Sequence, residues 1–103
     1  MRVQEYISED GSIPFKRWFD NLNHQAAAKV SVALARIELG NTSNIKWFSG
    51  LGEYRIDGGP GYRIYLMQDG DDLIVLFGGG TKKRQQKDIL EARKLLREYK
   101  SRR

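Results

Sequence analysis

The sequence contains no cysteine and a single histidine, His24. Without cysteine, the chain can form neither a disulfide framework nor a cysteine-based zinc site. One histidine excludes a pair of histidines that shuttle protons, and it also excludes a histidine-rich metal site. We therefore expect no metal and no cofactor, and we expect His24 to be an exposed residue at the start of a helix.

Long apolar segments are also absent. The longest apolar run, residues 73–77, is far too short to span a bilayer. The first residues do not combine a basic region with an apolar stretch, so they do not resemble a secretory signal. We expect a soluble, cytoplasmic protein without a membrane partner.

The chain has 103 residues, and we expect residues 1–103 to form one domain with a modest core. Its net charge of +5 is unevenly distributed. Residues 82–103 contain ten basic and three acidic residues, whereas residues 1–81 contain eight basic and ten acidic ones. This asymmetry favours a polyanion or an acidic protein as partner. A solvated basic helix would give the same pattern.

Hydrophobic periodicity predicts an α+β fold. An alternating segment indicates an N-terminal strand, and apolar residues at helical spacing then indicate two helices that form a hairpin. A four-stranded antiparallel sheet region and a basic C-terminal helix complete the predicted fold. The predicted strands lie within residues 2–7, 45–48, 53–57, 62–67 and 73–77.

The ends of these elements are marked by polar residues and glycines. We expect Ser12 to cap the first helix, and Asn23 to cap a second helix that ends at Gly40. The glycines at 78–80 are expected to end the last strand. Residues 100–103 are expected to fray.

Residues 53–67 contain two alternating segments around a Gly-Gly-Pro-Gly cluster, which predicts a β-hairpin. Period-2 alternation places Glu53 and Arg55 on one face of the first strand. Arg63 and Tyr65 lie on the same face of the second strand if the apolar residues of both strands are buried together. The hairpin therefore has one apolar face and one cationic face.

Two registers satisfy this alternation. In one register, Arg55 faces Arg63, and these like charges need an anion between them. In the other, Asp57 faces Arg63 and neutralises it. The first register predicts an anion site, whereas the second predicts an ordinary cross-strand ion pair.

If the anion is RNA, cleavage by the neighbouring 2′-hydroxyl needs a base, a stabilised phosphorane and a proton donor. Arg55, Arg63, Lys82 and Lys83 can stabilise the phosphorane. Glu53 is the carboxylate beside Arg55, so it is the candidate base, although a plain ion pair with either arginine is the alternative. No side chain is an obvious acid, because free lysine and arginine stay charged near neutral pH.

Other side chains are candidates for RNA binding. Tyr65 can stack on a base if its ring faces outward, whereas Trp47 is expected to be buried. Backbone N–H groups before the last helix can hold a phosphate with the neighbouring basic residues, although a flexible turn would show the same composition. The remaining candidates are Lys46, Arg84, Gln85 and Gln86.

Four motifs together resemble the RelE/ParE toxin superfamily, and more narrowly its HigB-like branch, which is often labelled addiction module killer proteins. The resemblance covers nearly the whole chain. The motifs are D-G-x-x-P-F-x-x-W-x-x-x-L at 10–22, G-N-T-S-N at 40–44, G-x-G-E-x-R-I-D-x-G-P-G-Y-R-I-Y at 50–65 and G-G-x-K-x-x-Q-Q-x-D-I at 79–89.

This resemblance implies a RelE-like fold and the toxin of a type II toxin-antitoxin system. Such toxins cleave messenger RNA on the ribosome without a metal, and a cognate antitoxin neutralises them. In this branch the antitoxin carries a helix-turn-helix domain, so operator DNA would be contacted through the complex. The alternative within the superfamily is a ParE-like inhibitor that binds DNA gyrase and needs no catalytic residues.

The resemblance also assigns roles to individual residues. Arg63 matches the arginine that stabilises the phosphate, Arg55 matches a basic strand position, and Lys82 and Lys83 match the basic pair after the glycine turn. The family's stacking tyrosine and acid histidine have no counterpart here, and Gln85 or Gln86 occupies the histidine's neighbourhood. The general acid is therefore unassigned, with the ribosome as an alternative source of the proton.

Overall fold

Five strands and three α-helices make up the computed structural model, which describes all 103 residues. A 3₁₀ turn at Lys82–Arg84 precedes the last helix. The strands are β1 (Arg2–Glu5), β2 (Ile45–Phe48), β3 (Leu51–Arg55), β4 (Arg63–Asp69) and β5 (Leu73–Gly80), and the helices are α1 (Pro14–Asp20), α2 (His24–Glu38) and α3 (Gln85–Arg102). The predicted α+β class is confirmed.

The strands form one sheet in the order β1-β5-β4-β3-β2. The four strands from β2 to β5 pair antiparallel, as predicted. The sheet as a whole is mixed, because β1 pairs in parallel with β5. Alternation alone specifies neither the partner nor the direction of a short strand, so the sequence did not reveal this pairing.

Each face of the sheet has its own hydrophobic core. This arrangement explains why β5, which lies inside the sheet, reads as a continuous apolar run. Residues from α1 and α2 pack on one face with Ile45, Tyr54, Ile64, Leu66, Ile74 and Leu76. Residues from α3 pack on the other face with Tyr6, Leu51, Tyr65, Met67, Val75 and Phe77.

Some predicted element ends are correct and others are wrong. Asn23 caps α2 by accepting a hydrogen bond from the Ala26 backbone N–H at 2.9 Å. Ser12 does not cap α1, whose N-cap residue is Ile13, because the Ser12 hydroxyl instead lies 2.8 Å from the Ser8 hydroxyl. The contact between Ser8 and Ser12 is local, but the sequence pattern did not indicate it.

The C-terminal residues are docked, so the prediction that they fray is wrong. Arg102 Nη1 donates a hydrogen bond to the backbone oxygen of Ile7 at 2.9 Å. Arg103 Nη1 lies 3.0 Å from Asp69 Oδ1. These contacts join the end of α3 to β4 and to the segment after β1.

The glycines after the apolar run belong to β5, which continues to Gly80 rather than ending before Gly78. A Cβ atom on Gly79 would overlap the Trp18 ring, and one on Gly80 would overlap the Asp88 carboxylate. The missing side chains therefore let α1 and α3 pack directly on the strand backbone.

Substitution at these glycines tests this packing. Gly79→Ala is expected to lower the free energy of unfolding by about 1–3 kcal/mol, because the Trp18 ring has to move. Gly78→Ala is the matched control, since a Cβ there meets no atom within 4 Å. Urea unfolding of both variants measures the difference. Equal free energies of unfolding for the two variants would show that the packing of Trp18 does not depend on the absence of a side chain at Gly79.

Candidate functional site

The hairpin adopts the first of the two predicted registers. Arg55 lies directly opposite Arg63 in the β3–β4 pairing, so Asp57 does not neutralise Arg63 across the strands. The like charges need an anion nearby. The protein itself supplies one, because the side chain of Glu53 lies beside both arginines.

Glu53 is buried, with 1% of its surface exposed. Its Oε1 atom accepts a hydrogen bond from Arg55 Nε at 3.3 Å. Its Oε2 atom lies 3.4 Å from Arg63 Nε and accepts a hydrogen bond from Gln85 Nε2 at 2.9 Å. Both oxygens are thus engaged, and the carboxylate connects β3, β4 and the start of α3.

The two arginines differ in exposure. The Arg63 side chain is 7% exposed, and its Nη1 donates to the Gly61 backbone oxygen at 2.7 Å. The Arg55 side chain is 52% exposed and binds Glu53 through Nε. The terminal nitrogens of Arg55 are therefore the more accessible donors of this pair.

A shallow cleft of about 320 Å³ lies along the glycine loop between β3 and β4. Arg55, Arg63 and Lys82 all line it, and Asp57 is the one acidic residue in its lining. The loop is held against the 3₁₀ turn because the Lys82 backbone N–H donates to the Pro60 oxygen at 3.2 Å. We call this the cationic cleft. It brings together three of the predicted phosphate-binding side chains.

The other predicted residues lie outside the lining of the cationic cleft. Lys46 is exposed and lies opposite Glu53 in the β2–β3 pairing. Gln85 is half-buried and bonded to Glu53, so it acts inside the cluster rather than at the surface. The remaining predicted side chains, Lys83, Arg84 and Gln86, are exposed around the start of α3.

The expectations for two aromatic side chains are wrong. Tyr65 is 1% exposed, so its ring has no free face on which a base could stack. Trp47, which was expected to be buried, is 43% exposed. The cause is that α3 covers the sheet face around Tyr65, whereas β2 is an edge strand.

Sequence reasoning missed a second cleft, of about 430 Å³, between α1, the glycines of β5 and the first turns of α3. Its lining includes Arg17, Trp18, Tyr65, Arg84 and Asp88. We call it the glycine cleft. The sequence contains no signal for this cleft. Gly79 lies against Trp18 and Gly80 lies against Asp88, and these contacts are visible only in the folded structure.

Two polar atoms of the glycine cleft are buried and make no hydrogen bond: the Tyr65 hydroxyl and Asp88 Oδ2. Burial raises the pKa of Tyr65, the Glu53 carboxylate beside its hydroxyl raises it further, and the charge of Asp88 adds a smaller effect in the same direction. Burial also raises the pKa of Asp88, against the opposing effect of Arg84. Both groups thus favour their neutral forms more than they would in water.

The fold and this site define a small α+β protein with a cationic cleft beside a buried carboxylate. No group of three or more His, Cys, Asp or Glu side chains is placed to hold a metal ion. No helix combines the length and apolarity that a membrane crossing needs.

The chain belongs to the same family as an uncharacterized protein of Haemophilus influenzae strain Rd. The two are 39% identical over 89 residues, which cover 84% of this chain and 90% of the relative. No protein-family model matches the chain.

Two buried tyrosines allow a test of the unbonded hydroxyl. Tyr65→Phe is expected to leave the free energy of unfolding unchanged or to raise it by up to about 1 kcal/mol, because it removes a buried hydroxyl without a partner. Tyr6→Phe is the control and is expected to lose about 1 kcal/mol, since its hydroxyl donates to Glu98 and accepts from Arg102. Denaturant unfolding compares them, and a larger loss for Tyr65→Phe would contradict this description.

Proposed function

We propose that this protein is a ribosome-dependent, metal-independent endoribonuclease: the toxin of a type II toxin-antitoxin system, of the HigB-like branch of the RelE/ParE superfamily. The observation that carries the proposal is the cationic cleft, where Arg55, Arg63 and Lys82 converge beside Glu53. The four sequence motifs that resemble this branch support the same conclusion.

The cleft has the charges that a phosphate needs during cleavage. In the proposed step, the 2′-oxygen of the substrate bonds to the adjacent phosphorus and the bond from phosphorus to the 5′-oxygen breaks. The products are a 2′,3′-cyclic phosphate and a free 5′-hydroxyl. The proton of the 2′-hydroxyl is removed, and a proton is delivered to the 5′-oxygen. Fixed cations stabilise the charge that develops on the phosphorane.

Arg55 and Lys82 are the side chains best placed to contact the phosphate directly. Arg55 offers its terminal nitrogens, and Lys82 is an exposed residue of the same cleft lining. Arg63 contributes charge from beneath, because its guanidinium is nearly covered. Lys83 is exposed next to Lys82 in the 3₁₀ turn, and in this proposal it contacts the neighbouring RNA backbone.

Glu53 acts as a positioning residue in this proposal. Both of its oxygens have partners and it is 1% exposed. Glu53 therefore positions the two arginines and does not act as the general base. A role as general base would require Arg55 to leave Oε1 first. In this proposal the ribosome supplies the groups that move protons, so cleavage would require the ribosome.

The basic surface also suggests how the protein is neutralised. Lys83, Arg84 and Gln86 are exposed at the start of α3, and Leu90 on the same helix is 68% exposed. An acidic, amphipathic segment of the cognate antitoxin fits this combination of charge and apolar surface. Operator DNA would be bound through the antitoxin's helix-turn-helix domain.

Mapping messenger RNA ends in a reconstituted translation reaction tests the proposal. Wild-type protein is expected to produce discrete cuts only when ribosomes are present. Arg55→Gln and Lys82→Gln are each expected to reduce cutting by about 10²-fold, because each removes a charge that stabilises the transition state. Lys82 is exposed and makes no ion pair, so Lys82→Gln is expected to fold. Arg55→Gln removes one partner of the buried Glu53, so its cutting is compared with wild type at equal folded concentration.

The matched control is Arg97→Gln, an exposed arginine on α3 that makes no ion pair. It is expected to cut like the wild type. Intact message, from a protein that still arrests cell growth, would overturn the proposal. A supercoiling assay would then show whether DNA gyrase is the target.

A further inference from the structure

The outer face of α2 is apolar, although it faces solvent. Its exposed apolar residues lie at helical spacing and are Ala28, Val32, Ala35 and Leu39. Val32 is 50% exposed and Leu39 is 86% exposed. The opposite side of the helix packs on the sheet through its own buried apolar residues. A helix that is apolar on two opposite sides is typical of one that is covered on both.

A groove of about 380 Å³ lies beside this outer face, between α2 and the end of β3. We call it the α2 groove. Ala28 and Val32 line it from the helix, and Tyr54 and Ile56 line it from the other side. Grooves of this kind bind a second helix, whose apolar side chains enter at spacings of three and four residues.

The polar lining of the α2 groove is mainly basic. It contains Lys29, Arg36 and Arg55, and Asp57 is its one acidic residue. Lys29 and Arg36 are exposed and make no ion pair. They are seven residues apart on α2, so they lie on the same side of the outer face. Unpaired cations beside an apolar surface favour an acidic partner.

A second copy of this chain does not supply the missing charges. In an antiparallel pair of α2 helices, Lys29 of one copy would lie beside Arg36 of the other, and these like charges repel. In a parallel pair, His24 and Ser31 would flank the same cations and would offer no carboxylate. The charges therefore favour a helix from another protein.

We propose that the α2 groove binds an acidic amphipathic helix of another protein. The apolar side of that helix packs on the outer face of α2, and its carboxylates pair with Lys29 and Arg36. The surface is separate from the basic start of α3, because α2 and α3 pack on opposite faces of the sheet.

Arg55 connects this surface to the proposed chemistry. It lines both the α2 groove and the cationic cleft. A carboxylate of the bound helix that pairs with Arg55 competes with a phosphate for the same guanidinium group. The bound helix therefore lowers RNA cutting. This consequence rests on the proposed function, whereas the docking does not.

Fluorescence anisotropy of a labelled peptide measures the docking without ribosomes. The probe is a designed helix of about 20 residues, long enough to be helical, with leucine and alanine on one side and glutamate in the flanking positions. The matched peptide has lysine in place of glutamate. The acidic peptide is expected to bind at least about tenfold more tightly, because like charges oppose the lysine peptide.

Charge reversal tests the named cations. Lys29→Glu combined with Arg36→Glu is expected to reverse the preference, so that the lysine peptide binds more tightly. The matched control is Lys87→Glu combined with Arg97→Glu, which changes net charge equally on the exposed side of α3. It is expected to bind the acidic peptide within about threefold of wild type at physiological salt. Equal affinity for both peptides, or the same loss in both double variants, would overturn the inference.

Val32→Asn tests the apolar contact. The side chain is half exposed, so the variant is expected to fold, and it is expected to bind the acidic peptide about tenfold more weakly. Unchanged binding would overturn the inference. Sedimentation of the chain alone tests the other occupant. A wild-type dimer that Val32→Asn converts to a monomer would show that a second copy covers α2, and it would overturn the inference.

The docking and the proposed function fail separately. If the protein cuts messenger RNA but the acidic peptide does not bind, the docking surface is wrong and the endoribonuclease remains. If the peptide binds with the expected preference and the message stays intact in its absence, the docking surface remains and the proposed function is wrong. Cutting that the acidic peptide inhibits in wild type, but not in the Lys29→Glu and Arg36→Glu double variant, would support both.

Discussion

One buried carboxylate, that of Glu53, is held between two arginines and links the hairpin to α3. Arg55 and Arg63 face each other across β3 and β4, a like-charge arrangement that would destabilise the hairpin alone. Glu53 lies beside both guanidinium groups and also accepts a hydrogen bond from Gln85. Burying a charge is costly unless it is paired and bonded, and each of these partners reduces the cost for the others. The cluster therefore ties the register of the hairpin to the position of α3.

This constraint explains how a small protein keeps cations close together at its surface. The buried pair of Glu53 and Arg63 fixes the base of the cationic cleft, while Arg55 and Lys82 remain open to solvent at its rim. The carboxylate partly neutralises the cluster without occupying the terminal nitrogens of Arg55. In the proposed function, a phosphate would meet charges that are already positioned, and such preorganisation is often the largest contribution to stabilising a charged transition state.

The sequence predicted the parts of this fold that depend on local pattern and left out those that depend on tertiary contact. The alternation of polar and apolar residues placed Glu53, Arg55 and Arg63 on one face of the hairpin. It was compatible with two registers, and one of them, with Arg55 opposite Arg63, is the register of the structure. Three other features depend on contacts between elements that are distant in sequence. They are the parallel pairing of β1 with β5, the burial of Tyr65 and the extension of β5 through its glycines. The glycine cleft was invisible for the same reason, because Trp18 and Asp88 are distant in sequence from Tyr65.

A double-mutant cycle of unfolding free energies measures how strongly Glu53 and Arg63 stabilise each other. Glu53→Gln alone is expected to destabilise the protein by about 3 kcal/mol, since it leaves the nearly buried Arg63 uncompensated. Combined with Arg63→Met, it is expected to destabilise less than the sum of the single variants, by at least about 1 kcal/mol. Effects that add within about 0.5 kcal/mol would show that the two side chains act independently and that the buried pair does not hold the cluster together.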